Sequence, residues 1–389
     1  MPWKEVNVMD QKIEFVIRAM MKQESFLHLC REYGITTKTG YKWRERFLEK
    51  GRAGLEEESR RPRSSAQTAE DIVCELVRIK KMKSNWGPKK IRNLYEAGHS
   101  GEKIPSLSTV SRILEKSGFV KKRKRRRTAA NESIQNRVIP EKCNDLWTVD
   151  FKGYWHTLKK EKVEPLTVRD EHSKYIFSIA ILEKGDTSSV KREFERLFRE
   201  YGLPKMIRSD NGPPFASRVS ILGLTKLSVW WMSLGIELDR TDPGSPQQNG
   251  SHERMHRDIA LELEGRIAGD LKIHRSRLEE WRVEFNEERP HESLGMKTPA
   301  SVYEKSDRKY EEFDGFEYPP GFQSRQVNNR GYTNLKGRHV FISNAFNGYN
   351  VGLKIIDKGW EVWFETRLIG WIDPVSFVLV PVQEKKDAT

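Results

Sequence analysis

Cysteine is scarce in this chain: three in 389 residues, Cys30, Cys74 and Cys143. They stand too far apart in sequence for a C-x-x-C zinc knuckle or a disulfide framework, and a reducing compartment fits. Long hydrophobic runs are missing too. No apolar stretch approaches the roughly 20 residues that span a bilayer. The first 25 residues hold no apolar segment followed by a small-residue cleavage site, so the expectation is a soluble intracellular protein with no membrane partner. Negative charge is in deficit, with 70 Lys and Arg against 56 Asp and Glu and a formal net charge of +14. A surplus of that size is unsuited to basic partners and suits phosphate backbones. The length allows two or more domains, each with its own core.

What is present begins with helical periodicity. KIEFVIRAMM (12–21), SFLHLCREYGI (25–35) and TTKTGYKWRERFLEKG (36–51) read as three helices. Gly34 and Gly51 are C-caps, and Thr36 or Thr37 is the N-cap of the third. Helix, glycine turn and polar-fronted helix is the helix-turn-helix pattern. It assigns residues 1–58 to a DNA-binding domain in which Lys38, Thr39, Lys42, Arg44 and Arg46 face DNA. The alternative is an ordinary three-helix bundle with a charged face. SRRPRSS (59–65), within a basic linker at 59–68, is extended by its proline. Its Arg60, Arg61 and Arg63 suit a minor groove, or a plain solvated linker. AEDIVCELVRIKKMK (69–83), WGPKKIRNLYEAG (86–98) and SLSTVSRILEKSGFV (106–120) repeat the pattern, so 69–120 is a second helix-turn-helix domain with Ser106 or Ser108 as N-cap. The linker 121–143 opens with KKRKRRR, the seven consecutive cations Lys121, Lys122, Arg123, Lys124, Arg125, Arg126 and Arg127. Such a run repels itself until it meets anions, and its position fits a DNA-tracking connection.

From residue 144 the texture changes. DLWTVDFKGYW, PLTVRD and KYIFSIAIL read as strands. A helix (188–202), a strand (204–212), a helix (224–235), a short strand (236–240) and a long helix (252–267) follow. Three strands and then alternating helix and strand predict a mixed α/β domain over 144–305. HVFISNAF, YNVGLKIID, GWEVWFE and LIGWID predict a small β-barrel over 320–389. Its Trp360, Trp363 and Trp371 could face DNA or another subunit, or could serve folding alone.

Residues 252–256 read HERMH, a match to the H-E-x-x-H pattern in which two helical histidines share zinc and the glutamate is a base. Two aspartates compete for Glu253. Asp150 ends LWTVD and Asp210 ends MIRSD, both at strand ends where α/β sites open. Three carboxylates suit a hard cation, Mg²⁺ or Mn²⁺, rather than zinc. Two such ions about 3.5–4 Å apart can serve a phosphodiester. In that geometry Asp150 bridges the ions, and Asp210 and Glu253 each complete one. A metzincin needs glycine at Ile259 and a third histidine at Glu262 and finds neither, so the peptidase reading stands without a further signature. His252 and His256 are then neighbours of the site or phosphate contacts. Arg257, one turn past Glu253, can reach the DNA backbone or remain a solvated charge. Asp145, Asp170 and Asp242 read as loop and turn formers.

Trp147-Thr148-Val149-Asp150, Ser209-Asp210-Asn211-Gly212 and Ser245-Pro246-Gln247-Gln248-Asn249-Gly250-Ser251-His252-Glu253 together resemble the DDE catalytic core of the retroviral-integrase superfamily. FNEERPHESLGMKTPASVY (285–303) resembles the segment that closes this core in bacterial insertion-sequence transposases. MPW, CREYGITTKTGYKWRERF (30–47) and LSVWWMSLGI (227–236) are similar to the IS481 group. The resemblance spans nearly the whole chain. Two departures stand out. The 43 positions between Asp210 and Glu253 exceed the usual spacing, as if 216–227 were an added surface loop. The His/Cys zinc domain that opens retroviral integrases has no match.

The resemblance implies an RNase H-like core and a bacterial, cytoplasmic, nucleoid-associated transposase. Asp150, Asp210 and Glu253 would be its catalytic metal ligands, with two Mg²⁺ or Mn²⁺ ions. The partners it implies are the element's terminal inverted repeats, target DNA and at least one further copy of the chain. Cleavage would free a 3′-OH that attacks the target strand directly, without a covalent protein intermediate or ATP. Copying out through a circular intermediate is the pathway it favours. The alternatives are a transposase-derived DNA-binding regulator without chemistry and the zinc peptidase.

Overall fold

The computed structural model describes residues 7–57, 68–120, 138–241, 249–264, 269–311 and 315–382. The chain divides into two units, Met1–Thr68 and Ala69–Thr389. Among the described residues no helix is long and apolar enough to cross a membrane.

The first unit holds α1 (Val8–Met21), α2 (Phe26–Glu32) and α3 (Thr37–Lys50). Their apolar faces meet in a core of Phe15, Val16, Ala19, Leu29, Cys30 and Leu55. Thr36 caps α3, its hydroxyl accepting from the Thr39 amide. Gly40 lets α3 cross closely, since a Cβ there would stand 2.8 Å from the Cys30 sulfur and 2.9 Å from the Phe15 ring.

The second unit begins with α4 (Glu70–Met82), α5 (Pro88–Gly98) and α6 (Leu107–Lys116), packed through Leu76, Ile79, Trp86, Ile91, Tyr95, Val110 and Leu114. Proline sits in the first turn of α5, where its missing N–H costs nothing. Ser106 caps α6 by accepting from the Thr109 amide.

A mixed sheet follows, built from β1 (Leu146–Phe151), the small hairpin β2 (Trp155–His156) and β3 (Lys162–Val163), β4 (Pro165–Asp170) and β5 (Ile176–Ile181). Helix α7 (Thr187–Tyr201), β6 (Met206–Ser209), α8 (Lys226–Ser233), β7 (Glu237–Arg240), α9 (Gly250–Ile259) and α10 (Leu271–Glu287) complete the domain. The sheet order is β5-β4-β1-β6-β7. The first three strands are antiparallel, while β1, β6 and β7 run parallel. That is the RNase H-like arrangement the motifs imply. One sheet face packs on α7 and α8 through Trp147, Val149, Phe194, Phe198 and Trp231. Met255 and Ile259 of α9 pack with Leu278, Trp281 and Phe285 of α10 and with Ile176 and Ile179 of β5. The predicted helix 252–267 begins two residues earlier and changes character: α9 passes into a wider π turn at Ala260–Glu264. Residues 265–267 lie outside the described residues.

The C-terminal segment forms β8 (Phe322–Gln326), β9 (Tyr332–Leu335), β10 (Arg338–Phe341), β11 (Asn350–Ile356), β12 (Gly359–Phe364), β13 (Arg367–Ile372) and β14 (Leu379–Pro381). A five-stranded antiparallel sheet, β14-β13-β12-β11-β8, and the β9–β10 hairpin share one apolar core. Trp360 lies in it and Trp371 is partly exposed. Leu224, Val229 and Met232, at and just before α8, enter the same core. The segment read as an added surface loop is therefore partly a docking element. Val219 is 98% exposed, yet Leu224 is buried and the Ser220 hydroxyl meets that of Ser343 at 2.9 Å.

Candidate active site

Alternation along β1 and β4 builds a polar face inside the molecule. Trp147 and Val149 take the side of α7 and α8, which turns Thr148 and Asp150 the other way. In the antiparallel register Thr148 is opposite Arg169 and Asp150 is opposite Thr167. All four residues thus share the face that α9 covers.

Helix α9 meets that face with His252 and His256. His252 is fully buried; its Nδ1 is 2.8 Å from the Thr148 hydroxyl and its Nε2 2.6 Å from that of Thr167. His256 Nε2 is 2.7 Å from the same Thr167 oxygen. Thr167 donates its own proton to the Asp150 carbonyl at 3.0 Å. Its oxygen is left to accept from both rings, so each histidine carries its proton on Nε2. Burial keeps both rings neutral; desolvation, then Lys152 and Arg169, lowers His256 to about 3. The histidines are thus bonded inside the fold as neighbours of the site, His252 through both nitrogens and His256 through Nε2. Arg169 reinforces the clasp by bonding the Ser251 carbonyl at 3.1 Å and its hydroxyl, while Glu171 accepts from the same guanidinium.

The three carboxylates stand around this scaffold. Asp150 is on β1, Asp210 follows β6 directly, and Glu253 is exposed in the first turn of α9. Burial first, then the charge of Asp210 and that of Glu253, raises the Asp150 carboxyl to about 7. Asp210 Oδ1 is buried with no hydrogen-bond partner. A Cβ at position 212 would stand 2.9 Å from Asp210 Oδ2, so glycine there keeps room beside the carboxylate. Crowded like charges, an orphaned acceptor and an all-oxygen donor set fit a hard divalent cation.

A second donor group shares Asp150. Ligand atoms of Asp150, His252 and His256 lie within 4.8 Å of one another. The threonine hydroxyls already engage both nitrogens of His252 and Nε2 of His256. That leaves His256 Nδ1, 3.8 Å from Asp150 Oδ2.

The aspartates read as loop and turn formers keep that role where the structure describes them. Asp170 closes β4 fully buried. It accepts from the Asn144 amide at 2.8 Å and from the Ser173 amide and hydroxyl at 2.7 and 2.6 Å. It braces the turn from inside, and burial raises its carboxyl. Asp145 accepts from the amides of Glu141 and Lys142 and pairs with Lys205. Asp242 lies outside the described residues.

Among the candidate DNA contacts, Lys38 and Lys42 are exposed on α3. The Thr39 hydroxyl is 2.9 Å from that of Thr36. Arg44 packs its guanidinium over Tyr41 and Phe26, 5.0 and 5.6 Å from the ring centres. Arg46 lies 5.7 Å over Trp43. Arg257 is exposed on α9 and has no ion pair among the described residues. Arg60, Arg61, Arg63 and the run from Lys121 to Arg127 (Lys122, Arg123, Lys124, Arg125 and Arg126 between them) lie outside the described residues. Sequence reasoning missed Thr148, Thr167 and Arg169. The signal was the paired alternation Thr-Val-Asp in β1 and Thr-Val-Arg in β4, polar residues at every second place in otherwise apolar strands.

Comparisons with known proteins bear on the domains. Models described as integrase core domain match residues 140–246 and 234–299. A helix-turn-helix domain matches 11–63 and a homeodomain-like domain 39–114. An uncharacterized 31.7 kDa protein of insertion element IS407 from Burkholderia multivorans is 26% identical over 240 residues, covering 61% of this chain and 82% of that protein. An uncharacterized 39.2 kDa protein of insertion element IS476 from Xanthomonas euvesicatoria is 26% identical over 233 residues, covering 59% and 63%. Among solved structures, the catalytic core of BIV integrase is 24% identical, covering 41% of this chain and 93% of its own, with a TM-score of 0.32. The class is a polynucleotidyl transferase in which helix-turn-helix domains precede an integrase core. Helix-turn-helix domains ahead of an integrase core, with insertion-element relatives, are consistent with a DDE transposase of the integrase superfamily.

Proposed function

We propose that Asp150, Asp210 and Glu253 act as one carboxylate triad that binds two divalent ions, Mg²⁺ or Mn²⁺. On this reading the site cleaves and joins the ends of the chain's own element. The observation that carries the reading is the Asp150 carboxyl, raised to about 7 by burial and the charges of Asp210 and Glu253, beside the unpartnered, buried Asp210 Oδ1. When bound, such ions stabilise charge at the attacking and leaving oxygens of a phosphodiester. The chain's own residues supply position. Thr167 ties the Asp150 backbone to α9 through both histidines, so the strand aspartate and the helix glutamate are fixed in one frame.

The helix-turn-helix domains bind the terminal inverted repeats in this reading. Lys38 and Lys42, with the basic segments 59–65 and 121–127, track phosphates, and base-edge contacts specify. Arg257, exposed one turn beyond Glu253, steers the backbone of the strand being cut. Two ends must be held together, so the working form is at least a homodimer on DNA, within the bacterial cytoplasm.

The test uses end-labelled duplexes from the gene's own flanks with Mg²⁺. Asp150→Asn, Asp210→Asn and Glu253→Gln each abolish nicking and joining while end binding persists, and His256→Ala retains nicking. Loss of end binding in all three carboxylate variants would overturn the triad. End binding by the wild type without any metal-dependent nicking favours the DNA-binding regulator. Loss of all activity in His256→Ala, with stoichiometric zinc on the wild type, favours the histidine-based metal centre.

A further inference from the structure

We propose that the cavity between the second helix-turn-helix set and the core, beside α9, binds one backbone phosphate of the DNA, held by Lys90 and Arg254. The proposal rests on the reading of the chain as a DNA-end processing enzyme and adds to it a site on the flank of α9.

The cavity has a volume of about 360 Å³, and its walls come from α5, β4, α9 and the turn after α10. Four cations line it: Lys90, Arg169, Lys174 and Arg254. Two acids do as well, and each is engaged elsewhere. Asp258 pairs with Arg289 at 3.4 Å and Glu292 with Lys89 at 2.7 Å. Arg169 and Lys174 share Glu171, at 2.5 and 3.1 Å. Lys90 and Arg254 remain, and among the described residues neither has a carboxylate within ion-pair distance. Burial, with Arg289 and Arg254 nearby, presses the Lys90 ammonium down to about 8. Asp258 and Glu262 offset only part of that crowding, and an anion would relieve the rest.

A third group faces the same space without a partner. His291 Nε2 is buried and makes no hydrogen bond, although its backbone is fixed by pairing with Lys297. Burial, then Lys90 and the neighbouring arginines, lowers the ring to about 3, so it is neutral. A neutral imidazole can present an N–H donor to an oxygen. Two free cations and one N–H donor match a phosphodiester, with its single charge and two free oxygens.

The position argues that the phosphate belongs to DNA. Arg254 is the residue after Glu253, and a helix with its side chains is about 10–12 Å across. A strand lying in the carboxylate site therefore passes this flank. Lys90 is on α5, so occupancy would bridge the DNA-reading set to the catalytic helix. Away from the cavity the same helical set also meets the core through ion pairs: Lys83 pairs with Glu284 and Glu288 at 3.1 and 2.8 Å.

The experiment uses the full chain and end duplexes carrying one neutral methylphosphonate at each linkage near the cleavage point in turn. The expected result is one position, or two adjacent ones, where neutralisation weakens wild-type binding about tenfold. The same duplex should then cost nothing further in a Lys90→Gln, Arg254→Gln double variant. With ordinary duplexes that variant should lose about one or two from the salt slope of binding. Neither substitution orphans a carboxylate; circular dichroism and the two single variants check folding. Neutral linkages that cost wild type and double variant alike would overturn the proposal. A wild type that does not prefer the flanking duplex over a scrambled one fails the parent reading instead. Melting scans with inorganic phosphate at matched ionic strength then decide. A Tm rise in wild type that the double variant lacks keeps the phosphate site with another source of phosphate; no rise in either removes it.

Discussion

Burial and the charges of Asp210 and Glu253 hold the Asp150 carboxyl at about 7, against an ordinary value of 3.8. Between those values the folded protein binds a proton that the unfolded chain releases. The sign follows: as pH rises from about 4 to 7, this group progressively destabilises the metal-free fold, and the full cost stands above 7. Asp150→Asn removes the cost. Without metal at pH 8 it should raise Tm by about 2–4 °C, and at pH 4 it should change little. Adding MgCl₂ should then stabilise the wild type and leave the variant nearly unmoved. Scanning calorimetry with and without chelator checks both; a lower Tm for the variant at pH 8 would make Asp150 a structural brace. The histidines of HERMH belong to the same scale. Their signature on the chain is that of a metal helix, but their partners, Thr148 and Thr167, are 104 and 85 positions away. No local pattern names the acceptor a buried ring will find.

At the scale of elements, the sheet and the carboxylates were legible because each has a local sign. Strand alternation, a turn beginning at Asp-Asn-Gly and a helix opening just before Glu253 are all written within a few residues. Asp170 was legible only in part. Residues 170–173 carry turn chemistry, which accounts for the Ser173 amide three positions on, but the Asn144 amide reaches the carboxylate only in the fold. The short edge strands β8, β9 and β14 escaped for a related reason. Burial in β8 and β14 does not alternate, and β9 alternates over only four residues, so periodicity gave little signal. Helix α8 was readable as a helix but not as a joint. Seven of its eight residues are buried, all but Lys226, because Leu227, Trp230 and Trp231 face the catalytic sheet and Val229 and Met232 the C-terminal one. A core truncated before residue 315 should therefore be poorly soluble and melt lower than the full chain. Changing Val229 and Met232 to Ser in that truncation should restore solubility. A soluble, equally stable truncation without those changes would show that the joint contributes little.

At the scale of the whole molecule, the net charge of +14 belongs to the encounter with DNA rather than to the fold. End binding measured by anisotropy between 50 and 200 mM salt should fall about 10³-fold or more, as expected for six or more phosphate contacts. A near-flat salt profile would contradict phosphate tracking by the basic segments.

The docking of residues 217–225 on the C-terminal sheet limits how such enzymes can be recombined. The stretch between Asp210 and Glu253 is a fitted spacer, one side serving the catalytic strands and the other, through Leu224 and Ser220, a domain more than a hundred residues downstream. A chimaera that exchanges the C-terminal domain for that of a relative would have to exchange this spacer with it. Lengthening or shortening it alone would shift Glu253 and the downstream domain together.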